Sequence, residues 1–159
     1  MEDLMPKFLV TGGAGFIGSN IAEALESRGE EVVVLDDLST GHEANMESFL
    51  SGVTFINGDI RDVETCARAL EGVDYVLHQA ALASVPRSIE NPVLINDVNV
   101  NGTINMLEQS RLAGVKYFVY ASSSSAYGDS ETLPKREEML PSPLSPYAVS
   151  KLTGEYYCS

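Results

Sequence analysis

Tryptophan is absent from this chain of 159 residues, and histidine and cysteine occur only twice each. Two cysteines as far apart as Cys66 and Cys158 make neither a disulfide framework nor metal-ligand spacing. With His42 and His78 the only histidines, no metal site is expected. Cys66 falls on the apolar face of a predicted helix and reads as a buried neutral thiol. Basic residues are also scarce: 10 Lys and Arg stand against 23 Asp and Glu, a formal charge of -13. Nucleic acid and anionic membrane surfaces are therefore disfavoured as partners, because phosphate is bound mainly by Lys and Arg. Any anionic ligand must be held locally. Long apolar runs are missing too. The stretch before Thr11 is too short for a signal peptide or a membrane span, so a cytoplasmic protein is expected. There is no internal repeat, low-complexity tract or linker.

With 44% apolar residues the chain has enough material for one core. Short β-branched runs alternate with amphipathic stretches, the pattern of an α/β fold in which a parallel sheet is covered by helices on both faces. Strands are predicted over 7–10, 31–35, 53–56, 73–77 and 116–121. The first helix carries Ile17, Ile21, Ala24 and Leu25 on one face and ends at Gly29. A second follows the cap Asp62, with Val63, Cys66, Ala67 and Leu70 on one face and Gly72 beyond it. A third is capped by Asn91, has Pro92 in its first turn and runs on to Gly114. A last helix starts at Ser145 and Pro146, after a loop from Gly128 to Leu144. Nothing near Tyr156 to Ser159 resembles a helix stop, so the chain reads as cut within an element.

TGGAGFIG, Thr11 to Gly18, lies between a predicted strand and a predicted helix, the context that gives a glycine pattern meaning. Gly12, Gly15 and Gly18 serve, between them, a tight turn, backbone approach to a pyrophosphate, and close packing of helix on strand. The helix N-terminus then binds the anion without a basic patch, which fits the acidic composition. Asp36, about 20 residues further on, closes the second strand where a carboxylate accepts ribose hydroxyls. It favours NAD over NADP, since a 2'-phosphate would meet like charge from Asp36 and Asp37. Asp59 and Ile60 follow the third strand, where they either meet the adenine or form a helix-capping turn.

SPYAVSK places Tyr147 and Lys151 four residues apart on one helix face. A phenol titrates near pH 10 unaided, and a neighbouring ammonium favours the phenolate, which makes Tyr147 a candidate base. A packed ring beside a solvated amine is the plainer reading of that pair alone. ASSSSAYG, Ala121 to Gly128, stands at the carboxyl end of the fifth strand, where open parallel sheets place ligands. Its serines are either ligand hydrogen-bonders or an ordinary Ser-rich turn.

TGGAGFIG, the Asp36 strand end, HQAA at 78–81, ASSSSAYG and the Tyr147/Lys151 pair together resemble the extended short-chain dehydrogenase/reductase family. HQAALASVPRSIENP, NVNGT and LSPYAVSK are most similar to its nucleotide-sugar 4-epimerases of the UDP-N-acetylglucosamine and UDP-glucose branch. That resemblance implies an NAD-dependent isomerase acting on a UDP-sugar, with residues 1–159 forming a Rossmann domain. It places Gly12, Gly15, Phe16, Ile17, Gly18, Asp36, Asp59, Ile60, Ala80, Ala81, Tyr147 and Lys151 on the cofactor. It assigns catalysis to Ser123, Tyr147 and Lys151: Ser123 on the sugar 4-hydroxyl, Tyr147 as base, and Lys151 on the nicotinamide ribose. Ala83, Ser84, Ser124 and Ser125 lie along the sugar. Sugar 4,6-dehydratases of the family carry an Asp-Glu pair where Ser124 and Ser125 stand here, so elimination is disfavoured. A dehydratase, reductase or uronate epimerase and a non-catalytic NAD-binding module remain the alternatives. Family members are about twice as long, so the chain reads as the cofactor half of an epimerase. They commonly pair through the long helix and the Tyr147 helix, which implies a homodimer; Val98, Met106 and Leu107 of the long helix suit either such pairing or ordinary core burial.

Overall fold

The computed structural model describes residues 5–159. Residues 1–4, on which part of the reading against a signal segment rests, lie outside the described residues. Strands β1 (Lys7–Thr11), β2 (Glu31–Asp36), β3 (Thr54–Asn57), β4 (Tyr75–His78) and β5 (Tyr117–Tyr120) form one parallel sheet in the order β3-β2-β1-β4-β5. The chain builds outward from β1 to β3 and then crosses back to lay β4 on the other side of β1. The strand order therefore reverses at β1, and a crevice opens beyond the carboxyl ends of β1 and β4.

The sequence EVVVLD of β2 is buried from Val32 to Asp36, as a strand covered on both faces must be. Alternation divides its residues between two layers. Val32 and Val34 join Val10 beneath helix α1 (Phe16–Glu26), through Ala22 and Leu25. Val33 and Leu35 join Leu9 and Val76 on the opposite face, against Cys66, Leu70 and Met106 of the segments around α2 (Val63–Ala69) and α5 (Gly102–Ala113). The α/β class and the five parallel strands are as expected.

Several boundaries differ from the sequence reading. Val73 is a turn residue rather than the start of β4, because its N–H bonds Leu70 O as α2 ends. A short helix, α3 (Val85–Glu90), precedes Asn91; Ser84 caps it by accepting the Arg87 N–H, and Pro86 stands in its first turn. The expected long helix is divided. Asn91 caps α4 (Pro92–Asn96), a π turn covers Asp97–Asn101, and α5 then runs to the left-handed Gly114 at φ 75°. The last helix, α6 (Pro146–Cys158), begins as expected, with Ser145 Oγ accepting the Ala148 N–H at 3.1 Å. Among the described residues no helix is long and apolar enough to cross a membrane.

Candidate active site

A cleft of about 400 Å³ opens at the carboxyl ends of the strands. Gly12, Gly15, Phe16, Ile17, Gly18, Asp36, Asp59, Ile60, Ala80, Ala81, Tyr147 and Lys151, the residues expected on a cofactor, all border it. Gly12 sits at φ 67°, and a Cβ there would come within 2.7 Å of Ala80 N, so only glycine brings β1 this close to the segment after β4. A side chain on Gly18 would strike the Gly12 carbonyl, so the same pair sets how closely α1 approaches its strand. Gly15 stands at the N-cap of α1 without a side-chain cap, leaving the first-turn N–H groups free of one.

Asp36 is 8% exposed and has structural work besides its place in the cleft. Its carboxylate accepts the Ala14 N–H at 3.0 Å and the Leu38 N–H at 2.8 Å. The second bond turns the chain at Leu38, which adopts φ 57°, and Asp37, Ser39 and Thr40 then form the cleft wall. Sequence spacing located Asp36 but not this turn.

The next wall is braced by charge. Asp59 accepts Arg61 Nε at 2.9 Å and the Arg61 N–H at 2.8 Å, and these bonds hold its carboxyl below the usual carboxylate range. Arg61 reaches on to Asp97 at 3.2 Å. The capping role falls instead to Asp62, which accepts the Glu64 N–H at 3.2 Å and the Thr65 hydroxyl at 2.6 Å. Ile60 is locked from behind: Asn105 Nδ2 donates to its carbonyl at 3.2 Å, and Gly102 leaves the room its side chain fills.

On α6, Tyr147 is half-buried at the cleft and Lys151 is only 4% exposed. Among the described residues no carboxylate lies within ion-pair distance of Lys151, and its Nζ sits 4.7 Å from the centroid of the Tyr120 ring. Burial pushes the ammonium down to about 8, so it titrates close to neutrality. Asn99, fully buried in the π turn, ties α6 to the cleft. Its Oδ1 accepts the Leu82 N–H at 2.8 Å, and its Nδ2 donates to Ser150 Oγ at 3.0 Å.

His78 anchors the layer below. Thr103 donates its hydroxyl proton to Asn99 O at 2.7 Å, so it accepts from His78 Nε2 at 3.0 Å. Nδ1 is then the acceptor for the Thr11 hydroxyl at 2.7 Å. The ring is neutral and held in one tautomer; burial, with the Lys151 charge nearby, pushes it down to about 3.

The residues expected along a sugar are placed less uniformly. Ala83 borders the cleft; Ser84, Ser123, Ser124 and Ser125 do not. Ser84 is committed to capping α3. Ser123 starts the turn Ser124–Tyr127, and its Oγ accepts the Ser125 hydroxyl at 2.8 Å and the Ser125 N–H at 3.2 Å. Ser123 to Ser125 thus form the Ser-rich turn of the plainer reading. Ser122, unassigned by the sequence, does line the cleft and donates to the Glu155 carboxylate. Its position two residues beyond the end of β5 is the signal that would have found it. Among the described residues no group of three His, Cys, Asp or Glu is disposed to hold a metal ion.

A doubly wound sheet with a glycine cradle and an acidic second-strand end at its switch point defines a dinucleotide-binding domain. The chain belongs to the NAD dependent epimerase/dehydratase family, which it matches over residues 8–159. A putative UDP-glucose 4-epimerase of Methanocaldococcus jannaschii is 45% identical over 151 residues, covering 94% of this chain and 48% of the relative. The structure of the Thermus thermophilus UDP-glucose 4-epimerase in complex with NAD superposes with a TM-score of 0.88 at 46% identity, over 95% of this chain and 49% of that one. DesIV, a dTDP-glucose 4,6-dehydratase of Streptomyces venezuelae with NAD bound, gives 0.90 at 38% identity, over 94% and 49%. The chain spans about half the length of the curated relatives it matches.

The residues present suit the dinucleotide this family depends on. Gly12 and Gly18 form a cradle that any Cβ would fill, Asp36 offers ribose acceptors without a nearby cation, and Lys151 brings an unpaired buried charge to the same cleft.

Proposed function

We propose that this chain is the cofactor-binding half of an NAD-dependent UDP-sugar 4-epimerase, an isomerase that passes through a transient 4-keto sugar. One observation carries the reading: Tyr147 and Lys151 border the same cleft as the glycine turn and Asp36. A base-forming pair is thereby set beside a dinucleotide site rather than on a separate surface.

Gly12, Gly15 and Gly18 admit the pyrophosphate at the head of α1, Asp36 takes the adenosine ribose, and Asp59 with Ile60 faces the adenine. Phe16 and Ile17, both exposed, close over the dinucleotide, and Ala80 and Ala81 flank it. Lys151 holds the nicotinamide ribose one helical turn from Tyr147. When bound, NAD supplies the hydride acceptor and donor at sugar C4. Tyr147 takes the proton from O4 and returns it, with Ser123 orienting the hydroxyl. For this the Ser123 Oγ turns from Ser125 toward the sugar. Ala83, Ser84, Ser124 and Ser125 run along the hexose. Orientation of the reacting groups is what the protein contributes.

Epimerisation is preferred over dehydration because Ser124 and Ser125 bring no carboxylate to act as acid and base at the sugar's C5 and C6. The fold comparison does not discriminate, since an epimerase and a dehydratase superpose almost equally well. The reading extends to a cytoplasmic homodimer pairing along α4, α5 and α6, where Val93 and Val149 are exposed; Met106 and Val98, by contrast, pack in or against the core.

Product analysis on a chain carrying the remainder of the polypeptide tests the proposal. Conversion of UDP-GlcNAc to UDP-GalNAc, or of UDP-Glc to UDP-Gal, without net NADH supports it. A stable 4-keto-6-deoxy product overturns it.

A further inference from the structure

Among the described residues Lys151 is a buried cation with no carboxylate within ion-pair distance, an arrangement that burial alone makes costly. What faces it is an aromatic ring. Nζ stands 4.7 Å from the Tyr120 centroid, inside the range of about 6 Å over which a ring quadrupole attracts an ammonium. That ring is fixed from both sides. His78 stacks on it with centroids 5.9 Å apart, and Gly154, three residues after Lys151 on α6, leaves the space it occupies, since a Cβ there would strike the ring. The phenol hydroxyl of Tyr120 is buried without a hydrogen-bond partner and is kept neutral by burial. The ring face, rather than the hydroxyl, is therefore the part of Tyr120 with a partner.

We propose that Tyr120 is a positioning residue for Lys151, its ring carrying the buried ammonium in the place a carboxylate would otherwise take. The inference rests on the reading of Lys151 as the residue that charges the site. A carboxylate in the same place would neutralise the ammonium, whereas a ring supports the cation without adding a counter-charge. Tyr120 of β5 lies against the ammonium and the neutral His78 of β4 feels its charge, while Tyr147, Glu155 and Cys158 of α6 act on the Tyr120 ring. The π turn packs on α6 through the uncharged Asn99.

The test is the titration of Lys151 in the 159-residue chain without nucleotide, followed by NMR at its Nζ and Cε and assigned by the signal lost in Lys151→Met. Tyr120→Phe keeps the ring face and should titrate with the parent. Phenylalanines carrying one to several ring fluorines at position 120 weaken the quadrupole at nearly constant shape. They should lower the midpoint stepwise, toward the tenfold loss of ammonium expected for Tyr120→Leu at fixed pH. A midpoint unchanged across the fluorinated series overturns the proposal, and that series decides it even where Tyr120→Leu does not fold. Failure of the epimerase reading registers elsewhere, in the products of the complete enzyme, and leaves this titration as it is.

Discussion

The carboxylate of Asp36 accepts the backbone N–H of Ala14, 22 residues earlier in the chain, at 3.0 Å. One side chain at the end of β2 therefore shapes the glycine turn as well as the cleft wall proposed to take the ribose. The two functions separate by substitution. Asp36→Ala strands two backbone N–H groups, those of Ala14 and Leu38, and should destabilise the chain by about 2 kcal/mol while weakening NAD. Asp36→Asn keeps an acceptor and should retain more of the stability, yet it lifts the repulsion toward a 2'-phosphate. Urea unfolding together with NAD and NADP titrations reads both effects. An unchanged NAD to NADP ratio in Asp36→Asn would show that its charge does not select the cofactor.

Tyr147→Phe removes one hydroxyl from a half-buried ring at the cleft. In the complete enzyme it should abolish turnover, with NAD still bound at close to parental affinity. Calorimetric binding paired with sugar product analysis checks this, and a loss of binding would contradict the role assigned.

Lys151 keeps its charge at the expense of stability. Its ammonium is pushed down to about 8 from the ordinary 10.5, so between those values the unfolded chain holds more protons than the folded one. Folding stability should rise with pH across that window and carry the full penalty below it. Lys151→Met should accordingly stabilise the nucleotide-free protein at pH 7 by about 2 kcal/mol and flatten the alkaline rise. Denaturant midpoints at pH 7, 9 and 10.5 measure it; a less stable Met variant would mean that the ring under the ammonium offsets its burial.

His78 has the same sign of shift at the acid end. It titrates near 3 when folded and near 6.5 when unfolded, so stability present above pH 6.5 is lost on acidification, by about 1.4 kcal/mol per pH unit within that window. His78→Gln should lose stability at pH 7 but show a shallower acid slope. The difference between the two slopes isolates this group from the carboxylates that titrate alongside it.

Burial pushes the Cys66 thiol up to about 12, and it donates to Ile60 O at 3.1 Å, whereas Cys158 is exposed. Iodoacetamide at pH 8 should label Cys158 alone in the folded chain and both cysteines in denaturant. Peptide mass analysis distinguishes the outcomes, and labelled Cys66 in the native protein would place its helix away from the core.

What was legible in the sequence is what short range dictates. Gly12, Gly18 and Asp36 were found because a strand, a tight turn and a helix follow one another within a few residues, and the ligand crevice lies where such units end. Tyr147 and Lys151 were found through helical spacing. Asn99 and Tyr120 carry no local mark: an asparagine in a helix and a tyrosine in a strand acquire meaning only from partners 17 to 51 residues away. Asp36 and Ser84 were recognised as residue types suited to a ligand, while their backbone bonds emerged only with the loops in place. The π turn escaped because Asn91 to Gly114 keeps helical composition throughout.

That π turn has a geometric consequence. One residue beyond the regular 3.6 per turn rotates everything after it by about 100°. Upstream, α4 packs against α6; downstream, α5 packs against α2. Removing a single residue between Asp97 and Asn101 would leave a smoother helix that addresses only one of its neighbours, unclasping either the Tyr147 helix or the wall behind Ile60. A cleft built from five strand ends is thus phased by one surplus residue, and an apparently harmless shortening there should be felt at both its Ile60 wall and its Tyr147 wall.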